Sequence, residues 1–187
     1  MGGYEIYAIT GIDGDQRAGE HLFESFLDFV HFLPYDSDIS FKENANVMRE
    51  KINYSHSSDI VIVGWSIGGA MALYLADLEY CTKCISINSF FHRRQYLLTR
   101  NISINDDDDI RIDRLKLHSK DIMIIAGGSD EKIPYTNSIQ IYDYLKQNNN
   151  ATLCVFSKLQ HSVADFSDVA QKTILMFIQD KNEKASL

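Results

Sequence analysis

Asp59-Ile60-Val61-Ile62-Val63 runs straight into Gly64-Trp65-Ser66-Ile67-Gly68-Gly69, and then into Ala70-Met71-Ala72-Leu73-Tyr74-Leu75-Ala76. The first segment is apolar and β-branched, as a buried strand requires. The last consists largely of good helix formers. The G-x-S-x-G between them therefore sits on a sharp strand-to-helix turn. Such a turn strains the serine backbone, and the flanking glycines let neighbouring chain approach closely. Ser66 is thereby held at the C-terminal edge of a sheet, and the N–H of Ile67 points at the same spot. Read without its flanks, the motif is no more than a glycine-rich turn with an N-capping serine.

The rest of the chain repeats this alternation. Strands are predicted at Tyr4–Thr10, Phe29–Leu33, Ile60–Val63, Cys84–Asn88, Ile122–Ala126 and Thr152–Phe156. Helices are predicted at Phe41–Ile52, Ile67–Leu78, Ser138–Gln147 and Val163–Gln179, and a helix or helical loop from Asp15 to about Phe26. A polar, irregular insertion is expected at Phe91–Ser119. Alternating strands and helices demand a mostly parallel sheet of about six strands with helices on both faces, an α/β architecture. Ligands then bind beyond the carboxyl ends of the strands.

With 187 residues and 45% hydrophobic content, the chain suits one domain spanning 1–187. A net charge of -8 argues against a nucleic-acid surface. No apolar run is long enough to span a bilayer. Met1-Gly2-Gly3-Tyr4-Glu5 lacks the basic and apolar regions of a secretory signal, and Ile6 stands where a myristoylation signal wants Ser or Thr. These features lead to an expectation of a cytoplasmic protein without a membrane partner. The three cysteines make no disulfide framework. Cys81 and Cys84 form a C-x-x-C between a helix end and a strand, away from the helix N-terminus that a redox pair would use.

A serine nucleophile needs a base, and the base needs an orienting carboxylate. For a serine on this kind of elbow, the partners follow in the order acid, then histidine. Gly127-Gly128-Ser129-Asp130-Glu131-Lys132-Ile133-Pro134 follows the strand ending at Ala126, so Asp130 lies at the same sheet edge as Ser66, with Glu131 as the alternative acid. Of the six histidines, His21, His31 and His56 precede Ser66, and His92 and His118 lie in or beside the insertion. His161 follows the strand ending at Phe156 after a short loop and projects from the same edge. Taken alone, the acid segment reads as a solvated turn and His161 as an exposed loop residue. Their convergence with Ser66 from three strand ends favours a site. A second oxyanion donor is expected from the loop Thr10-Gly11-Ile12-Asp13-Gly14-Asp15, at the N–H of Ile12. That loop has no Gly-Lys-Ser/Thr and carries two carboxylates, so it is not a phosphate cradle.

Together these segments resemble the α/β-hydrolase superfamily over nearly the whole chain. Ala8–Asp15 resembles its oxyanion loop, with Thr10 where His or Pro is commoner. Gly64–Gly69 is similar to the elbow of the pimeloyl-carrier-protein methyl ester esterases of biotin synthesis and their relatives. Gly127–Pro134 and Gln160-His161-Ser162 match its acid and histidine loops. The superfamily's first two strands are absent, and its helical lid is reduced to the 91–119 insertion. The resemblance implies an α/β-hydrolase fold and acyl transfer from an ester or thioester through Ser66, with His161 as base and Asp130 as its orienting acid. It implies no metal and no cofactor.

The insertion carries Arg93, Arg94, Arg100, Arg111 and Arg114, which suit phosphate or carboxylate groups. Arg93 and Arg94 could receive an acyl carrier protein or a phosphopantetheine arm. Asp106-Asp107-Asp108-Asp109 can instead neutralise these arginines on the surface. Phe91 is a candidate wall of an acyl pocket or ordinary core. Trp65 can line the pocket or pack under the sheet. Two rival functions share this fold: an acyltransferase or lyase that uses the same three residues, and a ligand-binding protein without catalysis. Acyl chain, leaving group and oligomeric state are not legible in the residues.

Overall fold

The computed structural model describes residues 4–12, 20, 30–53, 59–99, 101, 109–162 and 168–180. Six strands form one parallel sheet: β1 Tyr4–Ile9, β2 Val30–Leu33, β3 Asp59–Trp65, β4 Lys83–Ile87, β5 Asp121–Gly127 and β6 Asn150–Phe156. Their order is β2-β1-β3-β4-β5-β6. The chain reverses its direction of travel between β1 and β3, so a crevice opens there beyond the strand ends. The loops carrying Gly11 and Ser66 border that crevice. Five helices are described: α1 Phe41–Asn53, α2 Ile67–Asp77, α3 Arg93–Thr99, α4 Thr136–Leu145 and α5 Asp168–Gln179.

Strand alternation divides the core in two. Tyr7, Ile9, Ile62, Cys84, Ile122 and Ile124 face one layer, with Met48 of α1, Leu73 of α2 and Ile141 of α4. Ile6, Ala8, Val61, Val63, Trp65, Ile85, Ile87, Met123 and Ile125 face the other, where Ala170, Ile174 and Ile178 of α5 cover them. Central strands buried on both faces read as unbroken apolar runs, which is why β3, β4 and β5 are so plain in the sequence. Each fully buried isoleucine or leucine contributes roughly 1.5–3 kcal/mol. The helix after Ser66 is buried nearly all round, and Gly68 lets it press on the end of β1. A Cβ there would stand 2.4 Å from Ile9 O and 2.5 Å from Thr10 O.

Helix α1 starts with a capping box. The Glu43 N–H donates to Ser40 Oγ at 3.2 Å, and the Ser40 N–H donates to Glu43 Oε2 at 2.9 Å. Hydrogen bonds from the Ser40 hydroxyl and N–H hold the Glu43 carboxyl below its ordinary pKa.

The predicted elements correspond to the observed ones within a few residues at each end. The helix expected from Asp15 falls outside the described residues except Glu20, and residues 163–167 of the last predicted helix lie outside them too. The insertion departs from the expected irregular course. His92 pairs antiparallel with Arg111, Arg93–Thr99 forms α3, and Ile112–Arg114 forms a 3-10 turn. Leu97 and Ile112 become buried, which supplies the apolar anchor this segment needed to order. Arg100 and Asp106–Asp108 are outside the described residues. Trp65 lies under the sheet in the α5 layer, 7% exposed, because it continues the alternation of Val61 and Val63. Its ring reaches the loop after β1, with Cδ1 3.7 Å from where a Cβ on Gly11 would stand.

Candidate active site

Ser66 adopts φ 59° and ψ -123°, a conformation costly for a residue with a Cβ. The tight surroundings impose it. The Ser66 N–H donates to Ile87 O at 2.9 Å, and a Cβ on Gly64 would stand 2.0 Å from Gly68 O. The hydroxyl is thereby turned away from the strand and toward the loops after β5 and β6.

Those two loops are laced to one another. Gly128 N–H donates to Phe156 O, and Ser129 N–H donates to Leu159 O. Ser129 Oγ donates to Ser157 O at 2.9 Å. Gly127 lies so close beneath the histidine loop that a Cβ there would be 2.5 Å from Leu159 O. Asp130 emerges from this lacing with its side chain wholly shielded from solvent. Its Oδ1 accepts the N–H groups of Lys132 and Ile133, each at 2.8 Å. Its Oδ2 lies 2.8 Å from His161 Nδ1. A carboxylate can only accept, so Nδ1 carries the imidazole proton and Nε2 offers a lone pair. Nε2 lies 3.2 Å from Ser66 Oγ. Asp130, His161 and Ser66 thus form one continuous hydrogen-bonded line, with His161 side chain 20% exposed. Glu131, the alternative acid, is exposed.

The loop after β1 closes the other side. Thr10 is fully buried and its Oγ1 accepts the Tyr35 N–H at 2.9 Å. This bond ties the loop to the end of β2. Gly11 then passes so near the serine that a Cβ there would be 3.4 Å from Ser66 Cβ. Ile12 follows with its side chain exposed. Ile67 is the first residue of α2, and the first N–H groups of a helix have no partner within it.

The remaining candidates lie elsewhere. Phe91 is packed against the core with its ring edge-on to Tyr144, and its N–H donates to Asn137 Oδ1. It therefore contributes to the core beneath the insertion. Arg93 and Arg94 open α3, with Arg94 exposed. Arg111 makes a two-pronged pair with Asp113, and Arg114 pairs with Asp109 at 2.9 Å. A cavity of about 330 Å³ separates this part of the insertion from α1 and α2; Phe41, Tyr74, Ile110 and Leu115 line it, whereas Ser66 and His161 do not. Burial pushes the Cys84 thiol well above its ordinary value, with its hydrogen bond to Cys81 acting the same way. It is the opposite of an activated thiolate. Among the described residues no group of three His, Cys, Asp or Glu is placed to hold a metal ion. No described helix is long and apolar enough to cross a membrane.

The model of the prolyl oligopeptidase family matches residues 40–184, well over half of the chain and all three residues of the hydrogen-bonded line. The chain belongs to the prolyl oligopeptidase family. Its fold is the α/β-hydrolase fold, shared with solved structures of low sequence identity. Est1E from Butyrivibrio proteoclasticus, solved with ferulic acid bound, superposes with a TM-score of 0.74 at 17% identity, over 96% of this chain and 91% of that one. The Pyrococcus furiosus esterase Pf2001 gives a TM-score of 0.74 at 13% identity, covering 95% and 82%. Acetyl xylan esterase 1 from Thermoanaerobacterium sp. JW/SL YS485 gives 0.68 at 12% identity, covering 95% and 75%. Among curated proteins, none matches the sequence significantly. The chain order found here, serine elbow, acid, histidine, is the one the α/β-hydrolase fold uses.

One participant at this edge was not foreseen from the residues. Asn88, directly after β4, is buried with φ 46° and bonds both the acid strand and the histidine loop. A polar residue ending an apolar strand was visible in the sequence, but nothing there indicated what it touches.

Proposed function

We propose that the chain is a serine hydrolase that cleaves carboxylic esters by way of a covalent acyl-enzyme. The observation that carries this reading is the approach of His161 Nε2 to 3.2 Å from Ser66 Oγ while Nδ1 is held 2.8 Å from buried Asp130. As Ser66 Oγ attacks a carbonyl carbon, His161 Nε2 takes its proton. The resulting imidazolium is stabilised by the Asp130 carboxylate. The proton then passes to the departing alkoxide, and water repeats the sequence in reverse to free the acid. The backbone N–H groups of Ile67 and Ile12 receive the oxyanion. Supporting this assignment are the position of Ile67 at the start of α2 and the passage of Gly11 against Ser66. Loss of one such donor typically costs roughly 10²–10³ in rate. No step requires a metal or cofactor.

The esterases among the structural neighbours support an ester in preference to a peptide, although the family takes its name from a peptidase. A carrier-bound acyl group would have to be received by Arg93 and Arg94, of which Arg94 is exposed, since Arg111 and Arg114 are engaged by carboxylates of the insertion. The test is hydrolysis of one acyl group presented as a matched ester, thioester and prolyl-peptide anilide, by wild type and Ser66→Ala. We expect the ester to be cleaved fastest, and the variant to lose activity by roughly 10⁴-fold or more. Equal rates for wild type and variant would overturn the serine mechanism. Cleavage of the anilide or thioester alone would move the substrate class.

A further inference from the structure

We infer that Asn88 is a positioning residue that sets the reach of His161 toward Ser66. The inference rests on the hydrolase reading for its kinetic part only. Asn88 is 2% exposed and stands where β4 ends, between the strand bearing Ser66 and the strand leading to Asp130. All of its polar atoms named in the contacts here are directed at partners distant in sequence. Its N–H donates to Ile125 O at 2.9 Å. Its Oδ1 accepts the Gly127 N–H at 2.7 Å, at the base of the acid loop. Its Nδ2 donates to Gln160 O at 2.9 Å and to His161 O at 3.0 Å. One planar amide therefore fixes the acid loop on one side and the histidine backbone on the other. The two loops are already laced together through residues 127–129 and 156–159. Asn88 adds what that lacing lacks: an anchor joining the laced pair to β4, which in turn holds Ser66 through the Ser66 N–H bond to Ile87 O.

The backbone at Asn88 points to the same conclusion. A left-handed φ of 46° is uncommon outside glycine, though asparagine tolerates it better than most residues. Were the conformation alone required, glycine would serve at lower cost. A buried asparagine there brings a side chain with both a donor and an acceptor, and both are used. Aspartate would keep the acceptor for Gly127 but turn a second carboxylate oxygen toward two carbonyls. A displacement of about 1 Å at a reacting group can cost on the order of 10²-fold in rate, so the anchor acts through geometry and not through contact with substrate.

The experiment compares wild type, Asn88→Gly and Asn88→Asp in the full chain. Three readouts are taken: the rate of phosphonylation by a nitrophenyl phosphonate, kcat and KM on a nitrophenyl ester, and the downfield proton resonance of His161 Nδ1–H. Asn88→Gly relieves the backbone while removing the amide. We expect phosphonylation and kcat to fall by roughly 10–100-fold, KM to change by less than about twofold, and the resonance to shift or broaden. Asn88→Asp is expected to fall further. A folded Asn88→Gly with wild-type phosphonylation, kcat and resonance would overturn the inference. If Asn88→Gly does not fold, Asn88→Asp decides on the same readouts; if neither folds, Asn88 is a structural residue and the inference fails. Should wild type itself resist the phosphonate and the ester, the hydrolase reading fails. The resonance then judges Asn88 alone: a shift in the variant sustains its positioning role, and an unchanged resonance ends it.

Discussion

At the carboxyl edge of the sheet, buried Thr10, Asn88 and Asp130 bond to loops far away in sequence and leave Ser66 Oγ facing His161 Nε2. At the amino edge, Lys83 is buried as deeply, 5% exposed, and directs its ammonium at the carbonyls of Phe177, Ile178 and Asp180 at the end of α5. Both edges contain left-handed residues. Glu79, φ 66°, ends α2, with the Tyr80 N–H returning to Leu75 O in a helix-closing bond. Ser66 and Asn88 instead aim side chains. Buried polarity and backbone strain therefore do not mark a site by themselves. What distinguishes the carboxyl edge is that its bonds converge on atoms left free to react, whereas those at the amino edge finish a helix.

Asp130→Asn should break the carboxyl edge most severely. Asparagine can keep the bonds from Lys132 and Ile133, but its amide N–H₂ would face His161 Nδ1. That selects the tautomer with the proton on Nε2, which cannot accept from Ser66. We expect kcat to drop by roughly 10³–10⁴-fold, measured by ester hydrolysis, with the melting temperature lowered only slightly. A loss below tenfold would mean that Asp130 does not orient the base.

Lys83→Met should do the reverse. The side chain keeps its bulk while the carbonyls at the end of α5 lose their donor. Leaving buried acceptors unpaired costs about 1–3 kcal/mol, which lowers Tm by roughly 3–10 °C in a chain of this size. Activity below the transition should stay within about twofold; a drop comparable to that of Asp130→Asn would erase the distinction between the edges.

The smallest effect concerns the insertion. The Arg111 guanidinium bonded to Asp113 holds that carboxyl below its ordinary value, with His92 and Arg114 adding to the pull. A lowered folded pKa stabilises above the ordinary aspartate value of about 3.9 and loses that contribution as pH falls through the lower folded value. Thermal melts of wild type and Asp113→Asn should therefore differ slightly at pH 6 and converge toward pH 3. A gap that widens on acidification would contradict the pairing.

How much of this was legible depended on distance along the chain. Ser66 announced itself because strand, turn and helix are contiguous. Asp130 and His161 were legible because each follows an apolar strand directly, and parallel topology puts all such loops at one edge. The burial of Trp65 could have been read from its parity with Val61 and Val63. Phe91 could not, since its partner Tyr144 is on α4, far along the chain. Asn88 reaches 39 residues forward to Gly127 and 72 to Gln160, and no local pattern encodes such a reach. Lys83 was equally opaque: a lysine at a strand boundary ordinarily points to water, and only the end of α5 makes its burial favourable.

Asp130 and His161 lie 31 residues apart, on the loops that follow β5 and β6 of one continuous β5–α4–β6 unit, and those loops are bonded to each other. Together with the Asn88 anchor, the pair can therefore be inherited, or transplanted, as a single cassette. The insertion at 91–119 lies outside that cassette. It can change in length or charge while the bonds that join Asp130 to His161 are kept, so the two stretches of the chain are free to diverge separately.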